Sequence, residues 1–233
     1  MRQKPFFQRQ CRHMLSGRVQ YKFCANNYQC NVCEFDQDLD EEDLSGAVEG
    51  IFASKIAGFV MADNYYYSRG HGWARVENGG FIRMGIDDFT LRLLGSPTEV
   101  RLPNIGQRLE QNAPGWTFLR KEKGAAMISP MKGVVVATNQ KILRDPSLVK
   151  KEPYGLGWLI VIEPRAMKKN IRNLLFETTA IKWLRSEATR LEEMVHALYG
   201  VSLAATGGEI VDDIVSNLPH LEWEDLVHEF LLT

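Results

Sequence analysis

At Pro164 the hydrophobic pattern of this chain changes period, and the change divides what its two parts can become. Before it, from residue 72 to residue 162, short apolar runs are broken by glycine turns. Trp73 to Val76, then Asn78-Gly79-Gly80, then Phe81 to Ile86 reads as strand, turn, strand. Asp87 or Asp88 can cap a brief helix through Phe89 to Leu94, which Gly95 ends. Val100-Arg101-Leu102 alternates and stops at Pro103, while Trp116 to Leu119 and Met127-Ile128 flank a charged tip, Arg120-Lys121-Glu122-Lys123-Gly124. Gly133 to Ala137 and Trp158 to Ile162 are rich in β-branched residues, which suit strands. Regular short strands with turn residues between them predict a small sandwich or barrel.

After Pro164, Ile171, Leu174, Leu175, Thr178, Ile181, Leu184, Ala188, Leu191, Val195 and Leu198 recur at helical steps, apart from one adjacent pair. That predicts a long amphipathic helix ending at Gly200, with a break near Thr178-Thr179. Gly207-Gly208 opens a second helical stretch through Ile210, Ile214 and Val215 that stops before Pro219. Trp223, Leu226, Val227, Phe230 and Leu231 give a third. The expectation is partial packing of these stripes, with one face left for a partner.

All four cysteines, Cys11, Cys24, Cys30 and Cys33, fall in the first 33 residues. The pair Cys30-Asn31-Val32-Cys33 can turn both sulfurs toward one ion, and four thiolates complete a tetrahedral site. A module this short buries too little apolar surface to fold unaided, so a metal would supply the missing stability. Zinc is preferred, an iron–sulfur cluster uses the same ligands, and unligated or disulfide-bonded cysteines are the third reading. His13 stands two residues after Cys11 and could replace one thiolate, although a supporting or surface place suits it better.

Lys and Arg number 28 against 29 Asp and Glu, so the formal net charge is −1, which argues against a nucleic-acid-binding protein. The charge is uneven. Six basic residues and no acids precede Glu34, seven acids lie between residues 34 and 43, and after Arg190 nine acids stand with no Lys or Arg. Solvated surface explains such runs, and a basic head and acidic tail that dock on different partners is the sharper alternative. No apolar run approaches the roughly 18 residues of a membrane span. The start, Met1 to Gln10, lacks the apolar core of a secretory signal, so a cytoplasmic address is expected, free or peripheral to a membrane complex. There is no G-x-S-x-G, H-E-x-x-H, phosphate-binding glycine loop or Cys–His nucleophile outside the cysteine module, and the histidines are scattered, so no enzyme is expected.

Four segments carry a family resemblance: Tyr67-Ser68-Arg69-Gly70-His71-Gly72-Trp73-Ala74-Arg75-Val76; Gly85-Ile86-Asp87-Asp88 with Leu94-Gly95; Leu102-Pro103-Asn104-Ile105-Gly106; and Asp145 to Ile160. In this order and spacing they resemble the glycine cleavage system H protein. The resemblance implies a flattened barrel-sandwich of the biotinyl/lipoyl kind that carries lipoate on a hairpin lysine. In that family the lysine lies eight residues before the proline of a Ser-Pro pair, and counting back from Ser129-Pro130 gives Glu122. A carboxylate cannot form the amide. Lys121 and Lys123 flank it, but strand alternation should turn both away from the apex, and Leu119 stands where the family has glutamate. His71 and Trp73 match family positions and read equally well as a packed edge residue and a core aromatic.

The fold expected is therefore a mainly β barrel-sandwich hybrid with a small N-terminal metal-binding module and a C-terminal α-helical extension. Its parts are a four-Cys module at 1–45, a linker at 46–64, the H-like domain at 65–165 and the extension at 166–233. The function expected is a non-catalytic, non-lipoylated adaptor or accessory subunit of a larger redox complex, with oxidoreductase subunits as partners. It would hold one metal centre, on Cys11, Cys24, Cys30 and Cys33, and no lipoate. The alternatives are a lipoyl carrier modified at Lys121 or Lys123, in glycine cleavage or a related sulfur pathway, and an iron–sulfur electron-transfer subunit.

Overall fold

The structure, a computed structural model, describes residues 10–15, 19, 21–30, 33–36, 39, 51–200, 211–218 and 220–232. The acids at 40–43 and Gly207-Gly208 lie outside the described residues. The head contributes one short helix, α1 (Arg12–Leu15), and an isolated antiparallel bridge between Gln10 and Phe23. The body is built from antiparallel strands. A hairpin of β1 (Ala53–Ile56) and β2 (Phe59–Ala62) comes first. β3 (Tyr66–Tyr67), β4 (Gly72–Val76) and β5 (Ile82–Ile86) follow, and then the helix α2 (Asp88–Leu94). β6 (Glu99–Arg101), β7 (Arg108–Leu109), β8 (Pro114–Arg120), β9 (Lys123–Ile128) and β10 (Gly133–Thr138) continue the body. Two short helices, α3 (Gln140–Arg144) and α4 (Leu148–Lys151), lead to β11 (Ile160–Pro164). The last part holds α5 (Met167–Ile171), β12 (Leu175–Phe176), the long α6 (Glu177–Tyr199), α7 (Ile214–Asn217) and α8 (Trp223–Leu231).

Seven strands form one sheet in the order β12-β3-β4-β5-β11-β10-β7, and β6-β8-β9 form a second of three. Together they make the sheet-rich barrel-sandwich expected from the spacing of the short strands. Their register rests on single residues. Trp73 pairs across the ladder with Gly85, and a Cβ on Gly85 would lie 2.4 Å from the Trp73 ring, so the indole needs the missing side chain. The Trp73 ring nitrogen donates to the carbonyls of Ile86 (3.0 Å) and Pro153 (3.1 Å), which satisfies its polar edge inside the core. At the entrance to α2, Asp87 accepts from the Thr90 amide at 3.0 Å, and the Gly95 amide closes the far end on Leu91.

Two boundaries differ from expectation. Part of the 46–64 segment read as linker is the β1–β2 hairpin, whose Phe59 is fully buried against the Phe89 ring at 4.7 Å. The Tyr154 hydroxyl donates to the Val60 carbonyl at 2.8 Å and the Asp88 carboxylate accepts from the Val60 amide, so this hairpin is stitched to the body. Nor is the helical extension a separate body. Leu184, Leu191, Val195, Trp223, Leu226 and Phe230 belong to the same buried cluster as Trp73, Phe118 and Ile162. The apolar stripe was correctly read, but it is spent mostly on the barrel's own core. The break in the long helix also falls slightly earlier than Thr178: β12 intervenes, pairing with β3, and Tyr66 stacks on Phe176 at 4.6 Å.

Candidate functional site

The β8–β9 hairpin puts the charged tip where the sequence expected it. Arg120 pairs with Lys123 as the last rung, which leaves Lys121 and Glu122 as a two-residue turn. All of Lys121, Glu122 and Lys123 are exposed. Strand alternation, the ground for expecting both lysines to turn from the apex, applies only to residues on a strand. Lys121 is itself a turn residue with φ 54°, so alternation does not govern its side chain, whereas Lys123 lies on the first rung of β9. The turn is tied down by Thr98, whose hydroxyl accepts from the Lys121 amide at 3.0 Å.

The C-terminal elements seat against one side of this hairpin. Arg120 donates to both carboxylate oxygens of Asp213, each at 2.5 Å, and to the Leu94 carbonyl at 2.6 Å. Burial works against the Asp213 charge, but the Arg120 fork outweighs it and holds the carboxyl below its ordinary range. Gly95 permits this arrangement: its φ is +81°, and a Cβ there would come within 2.7 Å of Asp213 and closer still to Arg120. Further along, the buried Trp223 donates its ring N–H to the Gly124 carbonyl at 3.0 Å. Between them opens a groove of about 430 Å³ lined by Arg120, Lys121, Glu122, Lys123, Val215, Ser216 and Trp223.

Behind the barrel lies a charged group that sequence reasoning placed at an edge. His71 is fully buried, stacked on Phe89 at 4.3 Å and packed on Trp183 at 4.7 Å. Its Nδ1 meets Asp87 at 2.7 Å, and its Nε2 faces Glu187 across 3.9 Å, an ion-pair distance too long for a hydrogen bond. Burial disfavours the imidazolium, yet Asp87 and Glu187 together overcome it and raise the pKa to about 9. Glu187 is lowered in turn: burial opposes its charge, and His71 and Arg190 outweigh burial. Arg190 joins Glu187 at 2.7 Å and also contacts Glu229 of α8. One signal for this network was available. Trp183, Glu187 and Arg190 share a helix face by their spacing, and so hint at a charge turned inward.

The four cysteines are free thiols and line one cavity of about 200 Å³ in the head. Cys11 and Cys24 are buried, and Cys30 and Cys33 half-buried. Among the described residues, no three His, Cys, Asp or Glu side chains stand arranged to hold a metal ion. Burial pushes the Cys30 thiol up to about 11. His13 borders the same cavity, where its Nε2 meets Asp36 at 2.5 Å and Arg12 reaches the same oxygen at 2.6 Å. Arg12 and His13 also touch the barrel, lining a small space with Glu77, Arg83, Ala137, Trp158 and Val161. Among the described residues, none lines both the cysteine cavity and the hairpin groove. Among the described residues, no helix is long and apolar enough to cross a membrane.

The comparisons point to one family. The family model described as glycine cleavage H-protein matches residues 65–187, a stretch that carries the domain past Pro164 and into α6 as far as Glu187. A glycine cleavage system H protein from Anoxybacillus flavithermus is 38% identical over 109 residues, covering 47% of this chain and 84% of that protein. Its counterpart from Xylella fastidiosa is 33% identical over 109 residues, covering 47% of this chain and 82% of that protein. A crystal structure of a glycine cleavage system H protein from Mycobacterium marinum matches with TM-score 0.48 and 25% identity, over 55% of this chain and 98% of that one.

Proposed function

Because this chain belongs to the glycine cleavage H-protein family, we propose that it is a member that docks without carrying lipoate. In this reading it is a non-catalytic adaptor, an accessory subunit of a larger cytoplasmic assembly that includes oxidoreductase subunits. The observation that carries the reading is Glu122 in the two-residue turn, where the family's spacing calls for the modified lysine. A carboxylate has no nitrogen to acylate. The packing of Asp213 and Trp223 along the same hairpin supports it further, because a partner reaching the tip meets α7 and α8 as well as the barrel.

One observation favours a second reading, a lipoyl carrier in the manner of the relatives named for glycine cleavage. Lys121 is exposed and sits in the turn beside Glu122. Incubation of full-length protein with lipoate, ATP and a lipoate ligase, followed by intact mass and peptide mapping, separates the two. The adaptor reading expects no mass increase for the wild type and partial modification of Glu122→Lys, because the turn itself is intact. A lipoyl group on Lys121 or Lys123 of the wild type would make the protein a carrier.

A further inference from the structure

We infer that Cys11, Cys24, Cys30 and Cys33 bind one zinc ion through four thiolates, and that this ion organises the N-terminal head. The fold brings together cysteines that the sequence spreads over 23 positions. The Cys11 amide donates to the Lys22 carbonyl at 2.8 Å, and Gln10 bridges Phe23, so Cys11 lies opposite Lys22 on a backbone pairing and Cys24, two residues beyond Lys22, stands diagonal to it. Cys30 and Cys33 are drawn together by a turn in which the Cys33 amide donates to the Cys30 carbonyl at 3.1 Å. All four then border the same cavity.

Two further features point to a ligand that is a soft cation. The backbone at Asn27 and Tyr28 has positive φ, 53° and 64°, and this bend aims the Tyr28 amide at the Cys24 sulfur, 3.1 Å away. An N–H directed at a sulfur is the support that metal-bound thiolates receive from their surroundings. Around the cavity stand Arg12 and Lys22, with Arg12 shared by Asp36. Zinc on four thiolates keeps a formal charge of two negative, which nearby cations offset. The step is ligand exchange alone: four thiols lose four protons to solvent and four Zn–S bonds form, with no change of oxidation state.

The test uses full-length protein, reduced, kept anaerobic and stripped with a chelator, then titrated with cobalt(II) as an optical stand-in for zinc. One equivalent should bind, with thiolate charge-transfer bands and the intense visible bands of tetrahedral sulfur ligation, and one equivalent of zinc should bleach them. Cys30→Ser and Cys33→Ser should each weaken binding at least about tenfold, the floor set by loss of an outer partner at metal sites. His13→Gln should leave the spectrum unchanged. Since a cysteine variant could unfold the head, the wild-type spectrum decides by itself. Absence of cobalt binding or bands of nitrogen and oxygen ligation would overturn the inference. So would an untreated protein that carries iron with acid-labile sulfide. None of these outcomes bears on the hairpin, so the metal inference and the adaptor reading fail independently.

Discussion

An imidazole held between two buried carboxylates makes stability depend on pH in a definite direction. The His71 pKa lies at about 9 in the fold against an ordinary value of 6.5, so the folded state holds the proton more tightly. Its contribution is complete below about pH 6.5 and is lost as pH rises through about 9. The magnitude is on the order of 3 kcal/mol. Urea melts across this window should show the wild type weakening with pH and His71→Asn running flat, the variant being the less stable below about pH 6.5. Parallel curves would mean that His71 is neutral in the fold. This residue also shows where sequence reading ends. Asp87 was legible as a helix cap and Gly95 as a stop, because each acts on its own neighbours. The partnership of His71 with Glu187 was not, since it exists only once α6 crosses the barrel.

At the scale of elements, the hairpin and the C-terminal segment hold each other through two contacts of different strength. Trp223 is buried and hydrogen-bonded, so Trp223→Ala should cost about 3 to 5 kcal/mol. The Arg120–Asp213 pair is bidentate but partly exposed, and Asp213→Ala should cost only about 1 kcal/mol after allowance for solvent screening. Its sharper signature is local: amide exchange at Lys121 to Gly124 should quicken while the β4–β5 ladder stays protected. Uniform quickening would show instead that the pair holds the whole fold. Long or strongly patterned elements were readable in advance, among them α6 with its end at Gly200, the β4–β5 hairpin and α8. The β1–β2 hairpin and the helices α3 and α4 were not, because four or five residues are too few to display a period. The place of Lys121 in the turn was hidden for a related reason: whether a residue lies on a strand or in its turn depends on the register, which the composition of the tip does not reveal.

For the whole molecule, a single apolar cluster spans barrel and tail, so the two should melt together. Removing residues 188–233 leaves the family-matched stretch whole but strips Leu191, Val195, Trp223, Leu226 and Phe230 from that cluster. Calorimetry should find one transition in the full chain and a strongly lowered or absent one in the truncated chain. A truncated protein that melts like the original would show instead that the tail is a separate arm. The shared core also has a consequence for how the chain is made. Gly124 waits for Trp223, 99 residues later, before its carbonyl is covered. At a synthesis rate of about 5–20 residues per second, that interval lasts roughly 5–20 s. Throughout it β9, the outermost strand of its three-stranded sheet, faces solvent with an unprotected border. A ribosome that stops early on this message therefore releases a sticky barrel, whereas losses at the beginning of the chain spare the part that needs covering.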